Sequence, residues 1–259
     1  MAVPADNQQL SPPFANPAGA RQPLVIAAVG FATTIALLIL LPIVSDPWGL
    51  TGNHTSLSLS YLVVWVPLLG AVLIARMGGN PASTGGAVVS FAQSSAGSIA
   101  RQFRWIDLLW GLGIGLLARV AATIFEIVFY GRAGSAQLTF GEQTLDAWWL
   151  FGAVLAPVII APVIEELYFR GLLLNAIRRY PSRFEPRTLT VAAITISTFA
   201  FAFVHLITVQ SVTGGTVAGL STLLFGFAAA SLAASTGRLG GAILAHITFN
   251  ALVVLPALL

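Results

Sequence analysis

The chain has 259 residues, 57% of them hydrophobic and only 8% charged, and its mean hydropathy is +0.89. A soluble domain carries about 25% charged residues, so this composition cannot cover its own surface with polar groups, and lipid must be its solvent over much of its length. The absence of cysteine excludes disulfides, thiolate catalysis and cysteine-ligated metals, and a net charge of +3 without a dense basic cluster argues against nucleic acid as a partner.

Residues 1–22 are polar and rich in Pro and Ala, which predicts a disordered tail. No charged n-region opens the chain, so a cleaved signal peptide is not expected. Apolar stretches able to cross a bilayer follow at 24–45, 57–76, 105–130, 147–179, 187–208, 214–235 and 239–258. The fourth is too long for one simple span: it would reach roughly 50 Å against a hydrocarbon core of about 30 Å. Pro157 and Pro162 predict a kink there, and "LLLNAIRRY" is expected to emerge into the interface or cytosol. The expectation is an all-α, polytopic bundle in a cell membrane, with seven spans, or eight if the kink splits the fourth. Three accessory helices would occupy 23–146 and a catalytic core 147–259.

All twelve basic residues are arginine, a bias that, with abundant alanine, fits a GC-rich bacterial genome. Arg21, Arg76, Arg101, Arg104, Arg178, Arg179, Arg183, Arg187 and Arg238 fall on one side of the predicted spans, and Arg132 alone on the other. This asymmetry predicts a cytoplasmic N-terminus.

The remaining charges lie where charge is expensive. "IEELYFRGLLLNAIRRY", residues 164–180, places Glu165, Glu166 and Arg170 in an apolar stretch. A charge in hydrocarbon costs several kcal/mol unless it is paired, hydrated or useful. Glu166 and Arg170 are four apart and can pair on one helix face, whereas Glu165 points about 100° away. His205 lies in "FAFVHLI", and His246 and Asn250, again four apart, lie in "GAILAHITFNALVV". Any one of these groups would serve equally well as interhelical hydrogen-bond glue, often worth under ~1 kcal/mol. Together, Glu165, His205, His246 and Asn250 supply a carboxylate, two imidazoles and an amide from three helices, the makings of an acid–base site acting on water. Arg119 and Glu126, two turns apart in the third stretch, could form a structural pair or part of a polar cavity, and the structural pair is the preferred reading. Tyr168, Phe169 and Phe201 read as packing residues.

"EELYFR", "FAFVH" and "HITFN" fit the EExxxR, FxxxH and HxxxN motifs in the order and spacing of the CPBP (Abi) family, which the chain resembles over about 147–256. Members are intramembrane glutamic proteases related to the type II CAAX prenyl endopeptidase. The resemblance implies an endopeptidase that uses no metal and no cofactor and acts on a membrane-associated peptide or protein. Carried over, Glu165 is the base that activates water and His205 helps hold that water. His246 and Asn250 donate to the oxyanion, and Glu166 and Arg170 brace the helix. The residues agree on which glutamate reacts: one tied to Arg170 is a poor base, and its desolvated, cation-free neighbour a better one.

Other chemistries fit less well, since HExxH, GxSG and GxGD are all absent. A zinc site from His205, His246 and Glu165 is the chemical alternative, having an acceptable ligand count. Outside proteolysis, a non-catalytic immunity or regulatory protein of the same fold, or a proton-coupled transporter, would also use intramembrane polar groups. Depth poses a puzzle: His205 lies about 27 Å along its helix from Arg187, and His246 only about 12 Å from Arg238. They meet only if the fifth helix starts well outside the membrane or tilts strongly.

Overall fold

The computed structural model describes residues 17–45, 54–77, 103–134 and 147–258, and over these it is helical throughout, without strands. In chain order the helices are α1 (Pro17–Ser45), α2 (His54–Met77), α3 (Trp105–Tyr130), α4 (Ala147–Arg178), α5 (Pro186–Leu206), α6 (Val212–Thr236) and α7 (Gly240–Val254), the last followed by a 3₁₀ turn. The first six are long and apolar enough to cross a membrane, and α7 is a shorter apolar helix. Their large side chains point outward: Leu117 is 72% exposed and Val128 69%. Outward Leu and Val beside buried Asp, Glu and Arg is the arrangement of a bundle solvated by lipid. This is a multi-pass membrane protein.

Two expectations about segment boundaries change. Helix α1 begins at Pro17, inside the segment read as a tail; proline suits a first helical turn, where its missing N–H costs nothing. Residues 1–16 lie outside the described residues. Helix α4 is not split into two spans. It runs unbroken from Ala147 to Arg178, and Leu172, Leu173, Leu174, Ala176 and Ile177 are buried in the bundle. The eighth span is therefore not formed.

Prolines are absorbed in α4 by widening. Leu150–Ile160 and Leu167–Leu173 are π-helical, so each carbonyl looks five residues ahead for its donor. For Gly152 that donor would be Pro157, and for Pro157 it would be Pro162, and neither proline has an N–H. Side chains from other helices fill both places. The Tyr61 hydroxyl donates to the Gly152 carbonyl at 2.7 Å, and the Asn250 amide donates to the Pro157 carbonyl at 2.8 Å.

Helix α3 buries Asp107, Gly111, Gly115, Ala118, Ala122 and Glu126, a stripe of small residues with a carboxylate at each end. A β-carbon on Gly115 would lie 2.6 Å from Thr248 Cβ and 2.7 Å from the Ala245 carbonyl oxygen, so α7 sits directly on the α3 backbone. α3 also packs along α6.

Candidate active site

Glu165 and Glu166 lie on consecutive positions of α4 between its two widened stretches, and both are buried. Their carboxylates turn to different partners. Glu166 Oε1 accepts from Arg170 NH1 at 2.8 Å and lies 3.0 Å from His246 Nδ1. Arg170 is fully buried, with its guanidinium 4.5 Å from the centre of the Phe201 ring, 5.9 Å from Phe225 and 6.0 Å from Phe169. The Gly226 carbonyl takes a longer contact from NH2, at 3.4 Å. The pair expected from the four-residue spacing is present, inside an aromatic box that keeps water away.

Glu165 faces the histidines. Its Oε2 is 3.7 Å from His205 Nε2 and 3.8 Å from His246 Nε2, and it makes no hydrogen bond among the described residues. The tautomers follow from the opposite ring nitrogens. His205 Nδ1 is 2.9 Å from the Phe201 carbonyl, which can only accept, so Nδ1 carries the hydrogen. His246 Nδ1 carries one for the same reason, since it faces the Glu166 carboxylate. In neutral rings both Nε2 atoms are then bare. Two imidazole lone pairs and a carboxylate oxygen converge, at separations too long for direct hydrogen bonds.

His205 is the member that reaches open space, with 32% of its side chain exposed against 10% for Glu165 and 3% for His246. It lines a cavity of about 370 Å³, together with Asn250, Pro157, Ser221, Glu126 and Arg119. Asn250 stands one turn beyond His246 on α7, at the cavity wall, held by its bond to the Pro157 carbonyl. So Glu165, His205 and His246 come within 4 Å of one another through Glu165, and Asn250 joins them as part of the wall. Among the described residues no group of three or more His, Asp or Glu side chains is arranged to hold a metal ion.

Several contributors carried no sequence signal. The Phe225 ring lies 4.8 Å from the His246 ring, tilted by 52°, and Ser221, one turn earlier on α6, buries a hydroxyl without a partner among the described residues. Their four-residue spacing marks a shared helix face, but nothing in it points to His246. The Arg119–Glu126 pair forms as expected, at 3.0 Å, and its position in the cavity wall depends on how α3 docks.

A buried carboxylate and two imidazoles beside a cavity, in a bundle of membrane-spanning helices, form a candidate acid–base site. Residues 147–252 match the family described as type II CAAX prenyl endopeptidase Rce1-like, so that segment is similar to the CAAX-type proteases. The match covers the helices that carry Glu165, His205 and His246, whereas α1, α2 and α3 lie outside it. No curated protein and no solved structure matches the chain.

Proposed function

We propose that the protein is an intramembrane glutamic endopeptidase that hydrolyses a peptide bond of a membrane-associated substrate. The observation that carries this reading is the convergence of Glu165 Oε2, His205 Nε2 and His246 Nε2 within 4 Å at the edge of a cavity. Three acceptors so arranged suit a molecule with two hydrogens to donate, which is water. Glu165 takes one proton as the water oxygen bonds to the peptide carbonyl carbon, with His205 holding the other hydrogen. The proton then passes from Glu165 to the amine nitrogen as the C–N bond breaks, leaving a carboxylic acid and an amine.

The oxyanion is stabilised from α7. Asn250 has a second amide N–H beyond the one donated to Pro157. His246, the other α7 residue that the resemblance assigns to the oxyanion, is held by Glu166 through its Nδ1 at 3.0 Å. Glu166 thus braces Arg170 on one side and His246 on the other.

The test is reconstitution in liposomes with a fluorogenic peptide library, comparing wild type with Glu165→Gln. Cleavage by wild type and none by the variant is the expected result; equal cleavage by both removes Glu165 from the chemistry. Chelators run alongside address the zinc alternative. Activity that survives them agrees with a carboxylate base, while loss restored by Zn²⁺ would make Glu165, His205 and His246 ligands.

A further inference from the structure

We infer that Arg119 and Ser221 form a carboxylate-binding subsite in the catalytic cavity, which holds a carboxylate of the peptide substrate, from its chain end or from an acidic side chain. The inference rests on the endopeptidase reading above for the identity of the ligand as a peptide.

Arg119 sits on α3, outside the segment that matches the protease family, and lines the same cavity as His205 and Asn250. Its guanidinium has one partner among the described residues, Glu126 Oε1 at 3.0 Å through NH1. Glu126 is itself fully committed, because its other oxygen accepts the Gly134 N–H at 2.7 Å, and its side chain is 2% exposed. Glu126 therefore fixes Arg119 without engaging the rest of the fork. Guanidinium carries five N–H groups in a plane, so an edge remains for a second, bidentate acceptor.

A second observation is independent of this pair. Ser221 is 7% exposed, its hydroxyl has no partner among the described residues, and it lines the cavity from α6, opposite α3 in sequence order but packed against it. Other hydroxyls on that helix are used internally: Thr222 donates to the Ala218 carbonyl at 2.7 Å, and Thr216 to the Val212 carbonyl at 3.0 Å. A buried hydroxyl left unused on the wall of the cavity that also holds a cation with free donors is suited to an anionic acceptor. In so apolar a cavity, a planar carboxylate held by the fork would orient an extended peptide relative to Glu165.

The probes are apolar hexapeptides with a fluorescent N-terminal label, in three forms: free C-terminal carboxylate, C-terminal carboxamide, and carboxamide with one internal Glu. Their binding to Glu165→Gln protein in detergent is followed by fluorescence anisotropy, so the result does not depend on turnover. A carboxylate form is expected to bind about tenfold more tightly than the plain carboxamide. Ser221→Ala should reduce that ratio. The double change Arg119→Gln with Glu126→Gln, which leaves no stranded charge, should bring it to one. Whichever carboxylate form is favoured identifies the source. Equal binding of all three forms, no binding of any, or a preference that survives the double change overturns the subsite. Absence of cleavage by wild type, with carboxylate-dependent binding intact, would instead overturn the protease reading.

Discussion

Among the described residues Arg170 is hydrogen-bonded to one carboxylate and one carbonyl and lies against three aromatic rings, so Glu166 is its one ion-pair partner in direct contact. Replacing Glu166 by Gln strands that cation in a fully buried setting, a loss of about 3–5 kcal/mol. Thermal denaturation in detergent should show a clear drop in midpoint for Glu166→Gln, and partial recovery when Arg170→Leu removes the stranded charge as well. Glu165→Gln should leave the midpoint nearly unchanged while turnover disappears, because its carboxylate has no cation to lose. A stable, inactive Glu166→Gln beside an active Glu165→Gln would exchange the two roles. The pairing of Glu166 with Arg170 was legible in a four-residue spacing, because both lie on one helix. The contact of Glu166 with His246 was not, since 80 residues and two helix packings separate them.

The widened stretch of α4 makes its own prediction. Asn250→Ala leaves the Pro157 carbonyl without a donor, an expected loss of about 1–3 kcal/mol. Pro162→Ala supplies an N–H at the position that carbonyl faces, so Asn250→Ala should cost less stability in that background than alone. Equal costs in both backgrounds would show that Asn250 is not serving the backbone. The close approach of α3 and α7 gives a second case. In Gly115→Val a β-carbon would lie 2.6 Å from Thr248, forcing α7 to shift and carrying His246 with it; lower thermal stability and loss of turnover together are expected. The helices themselves were readable from hydropathy. The π pattern was not, because prolines announce missing donors without saying whether a helix will bend or widen.

At the scale of the molecule, the arginines gather at one end. Arg21 lies 5.9 Å from the Tyr180 ring, and Arg178, Arg179 and Arg238 line a common cleft. Arg132 follows the opposite end of α3, and so do Tyr130, Gly214 and Val254 at the rim of the catalytic cavity. By the positive-inside rule the arginine end is expected in the cytoplasm and the cavity in the outer half. Because the chain has no cysteine, single cysteines label cleanly. Ser182→Cys should react with an impermeant thiol reagent only from the cytoplasmic side and Ala133→Cys only from outside; the reverse pattern inverts the protein. The depth puzzle resolves at the same end. The first turn of α5 is exposed, so that helix starts outside the bundle. Arg238 is drawn inward by Asp107, which binds it through two hydrogen bonds of 2.6 and 3.1 Å. Sequence distances from Arg187 and Arg238 misled because only the second arginine is recessed.

A helix that hydrogen-bonds five residues ahead holds more residues per turn than one that bonds four ahead. Helix α4 can therefore take up or release a residue ahead of Pro157 by tightening or loosening a turn, where a regular helix would rotate everything beyond it by about 100°. The glutamates are thereby insulated from length changes near Ala147. A single-residue insertion ahead of Pro157 is therefore expected to leave the angular setting of Glu165 and Glu166 unchanged, which turnover of the insertion variant would check.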